Sequence, residues 1–89
     1  MHAVAKRIYN IAPDPVRLTL DDGTEATYDL RSAEFFQEEF QGEATRPDEP
    51  ETEYRITTTE DREAVILGRK AADDGGWQLV GEVVAADPA

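Results

Sequence analysis

Nucleophilic chemistry has few candidates in this chain. Ser32 is its one serine, and a hydroxyl nucleophile needs a base beside it. The one histidine, His2, sits at the start of the sequence, which predicts a frayed, inert side chain without the orienting neighbours that a ligand or general base requires. The absence of cysteine removes thiolate nucleophiles, thiolate metal ligands and disulfides together. Threonines fall in β-type runs, where strand propensity accounts for them. Carboxylates are so numerous, 20 Asp plus Glu, that no single pair stands out, and acid–base work needs a pKa moved by burial or by a partner. Two Asp-Asp-Gly segments, 21–23 and 73–75, bring carboxylates together, but a calcium loop needs more oxygens at fixed spacing and a downstream Glu. Hairpin turns demand these same residue types. Gly75-Gly76 precedes a strand-like run instead of opening a helix, so no phosphate loop is read there. The expectation is a non-enzymatic protein with no catalytic residue, metal or cofactor.

Charge bounds the binding chemistry. Nine Lys plus Arg against those 20 acids give a net charge of −11, and Lys6 and Lys70 are the only lysines. Like charge of that size opposes compaction at low ionic strength, whereas molar salt shortens the Debye length to roughly 3 Å. Abundant carboxylates, scarce lysine, arginine as the main cation and small apolar residues together resemble the composition of cytoplasmic proteins of haloarchaea. The resemblance spans the whole chain and implies a halophilic, cytoplasmic protein, without naming a fold or an activity. No apolar run reaches the length of a membrane span, and the first residues lack a signal-peptide pattern. Nucleic acid is the second reading: Lys6, Arg7, Arg17 and Arg31 gather in the less acidic N-terminal third, and Tyr9, Tyr28 and Tyr54 are candidate stacking faces for a single strand.

These side chains must be positioned by a small fold. Eighty-nine residues suit one domain, residues 1–89, with a modest core. The clearest stretch is Val16 to Leu30, two alternating runs around Asp21-Asp22-Gly23. A two-residue turn would mix apolar and polar residues on each face. A three-residue loop with Gly23 in the left-handed region pairs Leu20 with Thr24, Leu18 with Ala26 and Val16 with Tyr28, and keeps one face apolar.

The flanking segments read less sharply. Val4, Ile8 and Ile11 fit helical spacing, but Arg-Ile-Tyr-Asn-Ile also fits a strand, and the strand is the preferred reading for 3–11. Pro13 and Pro15 make 12–15 a connection. After Leu30 the period lengthens: Ser32 as N-cap, Ala33, Phe36 and Phe40 as an apolar stripe and Gly42 as C-cap predict a short helix docked on a sheet. Residues 43–53, acidic and bearing two prolines, predict a mobile loop.

Residues 54–59 and 64–69 predict a hairpin pairing Ile56 with Leu67, Thr57 with Ile66 and Thr58 with Val65. A following five-residue loop, 71–75, would pair Leu67 with Leu79 and Arg69 with Trp77. That register puts Ile56, Val65, Leu67, Trp77, Leu79 and Val83 on the core face, and sets Ile66 opposite Val80 on the reverse. Thr57, Ile66, Val80 and Val84 then form an outer apolar patch that barrel closure or a second subunit must cover. Residues 85–89 predict a frayed tail. The expected architecture is α+β: a strongly twisted antiparallel sheet or partly open small barrel in the order β-β-β-α-β-β-β, with one helix packed on it. The expected function is an interaction or assembly module, a homodimer that also meets a protein partner; the alternative is a single-strand nucleic-acid-binding barrel.

Overall fold

A computed structural model describes residues 2–61, 63–70 and 75–89. Among these, the chain forms α1 (Ala3–Ile11), β1 (Val16–Leu20), β2 (Glu25–Phe36), β3 (Glu39–Arg46), β4 (Glu49–Thr58), β5 (Val65–Lys70) and β6 (Trp77–Pro88). The strands close into an antiparallel barrel in sequence order, with β1 hydrogen-bonded to β6. β2 and β6 are each 12 residues long and serve two ladders. Residues 25–28 of β2 pair with β1 and 29–36 with β3; residues 77–82 of β6 pair with β5 and 83–88 with β1. The barrel is therefore two sheets sharing corner strands, β6–β1–β2 and β2–β3–β4–β5–β6. Its corners are made by bulges. The registers skip Arg31 in β2 and Val84 in β6, and a further skip at Val80 shifts β6 against β5.

The organising hairpin has the register its pattern predicts. Val16 pairs with Tyr28 and Leu18 with Ala26, the Leu20 N–H donates to the Thr24 carbonyl, and Gly23 takes φ 89°. The β4–β5 hairpin also agrees, pairing Ile56 with Leu67, Thr57 with Ile66 and Thr58 with Val65. Val16, Leu18, Leu20, Tyr28, Leu30, Phe40, Ala44, Tyr54, Ile56, Val65, Leu67, Val83 and Ala86 point inward, and Ala5 and Ile8 of α1 complete the core.

Helix and strand exchange places relative to the expected order, which becomes α-β-β-β-β-β-β. Residues 3–11 are helical because Ala5 and Ile8, three apart, share a helix face but not a strand face. His2 is not frayed: its Nδ1 accepts the Val4 N–H as N-cap, and its Nε2 lies 3.1 Å from the Glu63 carbonyl. The helix expected from Ser32 to Gly42 is instead the end of β2, a two-residue turn and the start of β3. Gln37 turns the chain at φ 61°, pairing Phe35 with Phe40 at a ring separation of 5.2 Å. Phe36 is exposed and Phe40 fully buried, so the supposed stripe is split between the two sides of the sheet. Ser32 Oγ accepts the Glu43 N–H across the bulge instead of capping a helix. At Gly42 an added Cβ would lie 3.1 Å from the buried Phe40 ring, so this glycine gives the ring room and caps nothing.

Residues 43–53 are not a loop. Phe40, Gly42 and Ala44 alternate inward along β3, Pro47-Asp48 turns the chain, and β4 begins at Glu49. The prolines fit because Pro47 is in the turn and Pro50 lies where the ladder jumps from Ala44↔Tyr54 to Arg46↔Glu49. The expected frayed tail is strand: Ala86 is buried, Pro88 pairs with Val16, and the Ala89 N–H donates to the Pro15 carbonyl. The barrel is closed where a partly open one was an option. Residues 71–74 of the second Asp-Asp-Gly turn, and Arg62, lie outside the described residues.

Candidate functional site

The bulge at Val80 decides which residues face solvent. Gly68 pairs with Leu79 and Lys70 with Trp77, not Leu67 with Leu79 or Arg69 with Trp77. Because Gly68 and Lys70 point outward, Trp77 and Leu79 leave the expected core face for the outer surface. Val83, beyond the bulge, keeps its expected inward position. Exposures of 41% at Trp77, 71% at Leu79, 41% at Val80 and 46% at Val84 follow. Closure of the barrel puts the opposite face inside, so the outer patch stays uncovered.

Of the four patch residues expected from the sequence, Thr57 and Ile66 sit side by side across β4 and β5, both half-buried. Ile66 faces Glu82 and not Val80, while Val80 and Val84 are the two bulged residues of β6, each exposed. Thr57 and Ile66 line a shallow groove of about 330 Å³ with Arg55, Gly68, Trp77, Gln78 and Leu79. Gly68 is its floor: a Cβ there would make only ordinary contacts, 3.8 Å to the Trp77 ring. Sequence reasoning missed Trp77 and Leu79, although Gly81 inside a strand run is a bulge signal.

Cations rim one end of this face. The Arg55 guanidinium stacks 4.3 Å from the Trp77 ring centroid, and Lys70 pairs with Glu53, which also meets Arg31; Arg69, donating to Gln78, is on the reverse side of the sheet. The other end is acidic. Glu82 lies beside Asp21, whose carboxylate accepts the Glu82 N–H and whose own N–H donates to the Glu82 carbonyl.

Of the residues proposed for nucleic acid, Arg7 and Arg17 meet at Asp87, which pairs with Arg7 and stands directly across from Arg17, whereas Arg31 lies apart in the β2 bulge. Arg7 on α1 donates to the Ala86 carbonyl and pairs with Asp87, Arg17 on β1 pairs with Glu25, and Arg31 in the β2 bulge pairs with Glu53. Lys6 is exposed on α1. Tyr28 and Tyr54 are buried edge-to-face at 5.3 Å and offer no stacking face, while Tyr9 is half-exposed against Phe35. Burial raises the pKa of both buried tyrosines; at Tyr54 the hydrogen bond to Glu49 adds to the rise. The Asp22 carboxylate is lowered by hydrogen bonds from Thr24, as befits a turn residue, and Asp61 is lowered by the Thr59 hydroxyl. Among the described residues no three His, Asp or Glu side chains gather as a metal-binding group.

Fold and face together define a small closed β-barrel with a helix at one end and an exposed apolar strip along a corner strand. The chain belongs to DUF8072, a domain of unknown function whose family model matches residues 1–89. No curated protein and no solved structure matches it. Among the described residues no helix is long and apolar enough to cross a membrane.

Proposed function

We propose that this protein is a non-enzymatic interaction module that assembles as a homodimer through the outer face of β5 and β6. The observation that carries the reading is the run of exposed Trp77, Leu79 and Val80 beside Ile66, with exposed Val84 farther along β6 where it borders β1, on a chain of net charge −11. Apolar surface gathered in one place on so charged a body marks a contact surface. Two-fold homodimers are the commonest way to cover such a patch. Light-scattering mass in molar KCl tests it: the wild type is expected as a dimer and Val80→Asp as a monomer. An unchanged mass for Val80→Asp removes this patch from the interface.

The acidity supports a halophilic, cytoplasmic setting, in which molar salt screens the self-repulsion. Far-UV dichroism is expected to collapse on dialysis into low salt and to return in molar KCl; structure and thermal stability unchanged in salt-free buffer would remove the halophilic reading.

A second reading, single-stranded nucleic acid, gains one specific observation: Trp77 stands between Arg55 and Lys70, an aromatic face beside cations. Binding to RNA or DNA above about 1 M KCl, where phosphate contacts are weak, and its loss in Trp77→Ala, would favour that reading over the protein interface.

A further inference from the structure

The five-stranded sheet has two edges, and one of them is bare. Along β6, residues 77–82 pair with β5 on one side, while pairing with β1 on the other side starts only at Val83. At Glu82 the gap is already closed by Asp21, through both its N–H and its carboxylate. Among the described residues no strand lies beside residues 77–80 on the side away from β5. The usual protections of an exposed edge are lysine, proline or an inward charge. Trp77-Gln78-Leu79-Val80 has none, and it sits within residues 75–81, the longest uncharged run in a chain that is 33% charged.

We propose that two copies of this chain join edge to edge through residues 77–80 of β6, antiparallel about a two-fold axis near Leu79, so that the five-stranded sheet of one copy continues into that of the other. This rests on the dimer reading above and specifies its geometry.

Charge decides both the occupant and the direction. The Trp77 end of the edge is cationic, with Arg55 stacked on the ring and Lys70 opposite it, and the far end is acidic, with Glu82 and Asp21. Antiparallel pairing of two identical edges sets each cationic end against the partner's acidic end. A parallel arrangement sets like against like. Elsewhere two chains of net charge −11 repel, whereas the uncharged run lets the main chains approach. The edge is also bounded, by the Val80 bulge and the Asp21 contact, so it closes a dimer and does not template a fibre.

The chain has no cysteine, so single cysteines report on the geometry cleanly. Leu79→Cys and Ile66→Cys are made, dichroism checks that both fold in molar KCl, and each is oxidised after its mass is measured by light scattering. Directly paired residues on neighbouring antiparallel strands have Cα atoms about 4.5–5.5 Å apart, within disulfide reach. Position 66 lies one strand in from the edge and two such strands keep the copies' Ile66 residues apart. The expected result is a dimer in which Leu79→Cys cross-links between copies and Ile66→Cys does not. A dimer that cross-links at 66 and not at 79 overturns edge pairing and leaves a face-to-face dimer standing. A dimer that cross-links at neither position, or equally at both, also overturns edge pairing. A wild-type chain that is monomeric in molar KCl overturns both the edge and the dimer.

Discussion

The two edges of the five-stranded sheet are treated differently. At the β2 edge, Tyr9 and the connection after α1 lie alongside, while the body of the helix packs on β6. Tyr9, Ala12 and Pro13 line a groove with residues 30–33, Tyr9 meets Phe35 at 5.2 Å, and Ala5 and Ile8 are buried in the core. At the β6 edge, residues 77–80 keep apolar side chains in solvent. Both edges arise from the same device, a long strand that leaves one ladder for another at a bulge, so the bare edge is not forced by the topology. The difference lies in what covers each edge, and it separates residues that hold the fold from residues available to a partner.

The largest effect should come from loosening α1, the helix that carries Tyr9 to the covered edge. Ile8→Ala removes a fully buried side chain and is expected to cost about 2–5 kcal/mol, enough to threaten a domain this small. Urea unfolding in molar KCl measures it, and a loss under about 1 kcal/mol would mean α1 is an ornament and not part of the core. Gly42→Ala strikes between the edges: the new Cβ crowds the Phe40 ring and the Ser32 carbonyl, for an expected loss of about 1–3 kcal/mol by the same measurement.

Alkaline pH probes the closed interior away from both edges. Tyr28 and Tyr54 hold their protons more tightly folded than unfolded, because burial disfavours the phenolate. Their contribution to stability is therefore fully present below the ordinary value of 10.0 and is lost as pH rises through the raised folded values. Tyrosinate absorbance followed alongside unfolding should show Tyr28 and Tyr54 titrating late; titration of both in the ordinary range would place that pair in solvent. Gln37→Gly relieves a left-handed turn residue and is expected to gain up to about 1 kcal/mol in thermal unfolding. The smallest effect belongs to the bare edge. Leu79→Thr, read at protein concentrations low enough to be monomeric, should change stability by no more than about 0.5 kcal/mol, since Leu79 supports nothing in the monomer.

How much was legible in the sequence varied with local redundancy. In the first hairpin, turn residue, register and face all agreed, so one pattern sufficed. The helix and one pair of strands were exchanged because Ala33, Phe36 and Phe40 satisfy a helical period as well as a hairpin whose turn, Gln37-Glu38, lacks the usual Asn or Gly. Arg31 compounds this: the bulge there breaks the alternation of β2, so Leu30 and Ala33 face the same side. The candidate site depended on a second bulge. Thr57, Ile66, Val80 and Val84 read as one outer patch from an unbroken register, but the skip at Val80 sets Ile66 against Glu82, and without that skip the most exposed apolar residue of β6, Leu79, read as core.

The closing ladder has a consequence for how the chain is made. β1 must pair with residues 83–88 of β6, so the barrel's first strand waits for its last one before its second side is satisfied. Until then β1 is paired on the β2 side alone, and contacts of such long sequence separation form slowly. Synthesis that stalls in residues 71–76 leaves five strands made and β1 and β5 both unclosed, a nascent chain with two sticky margins that only β6 can seal.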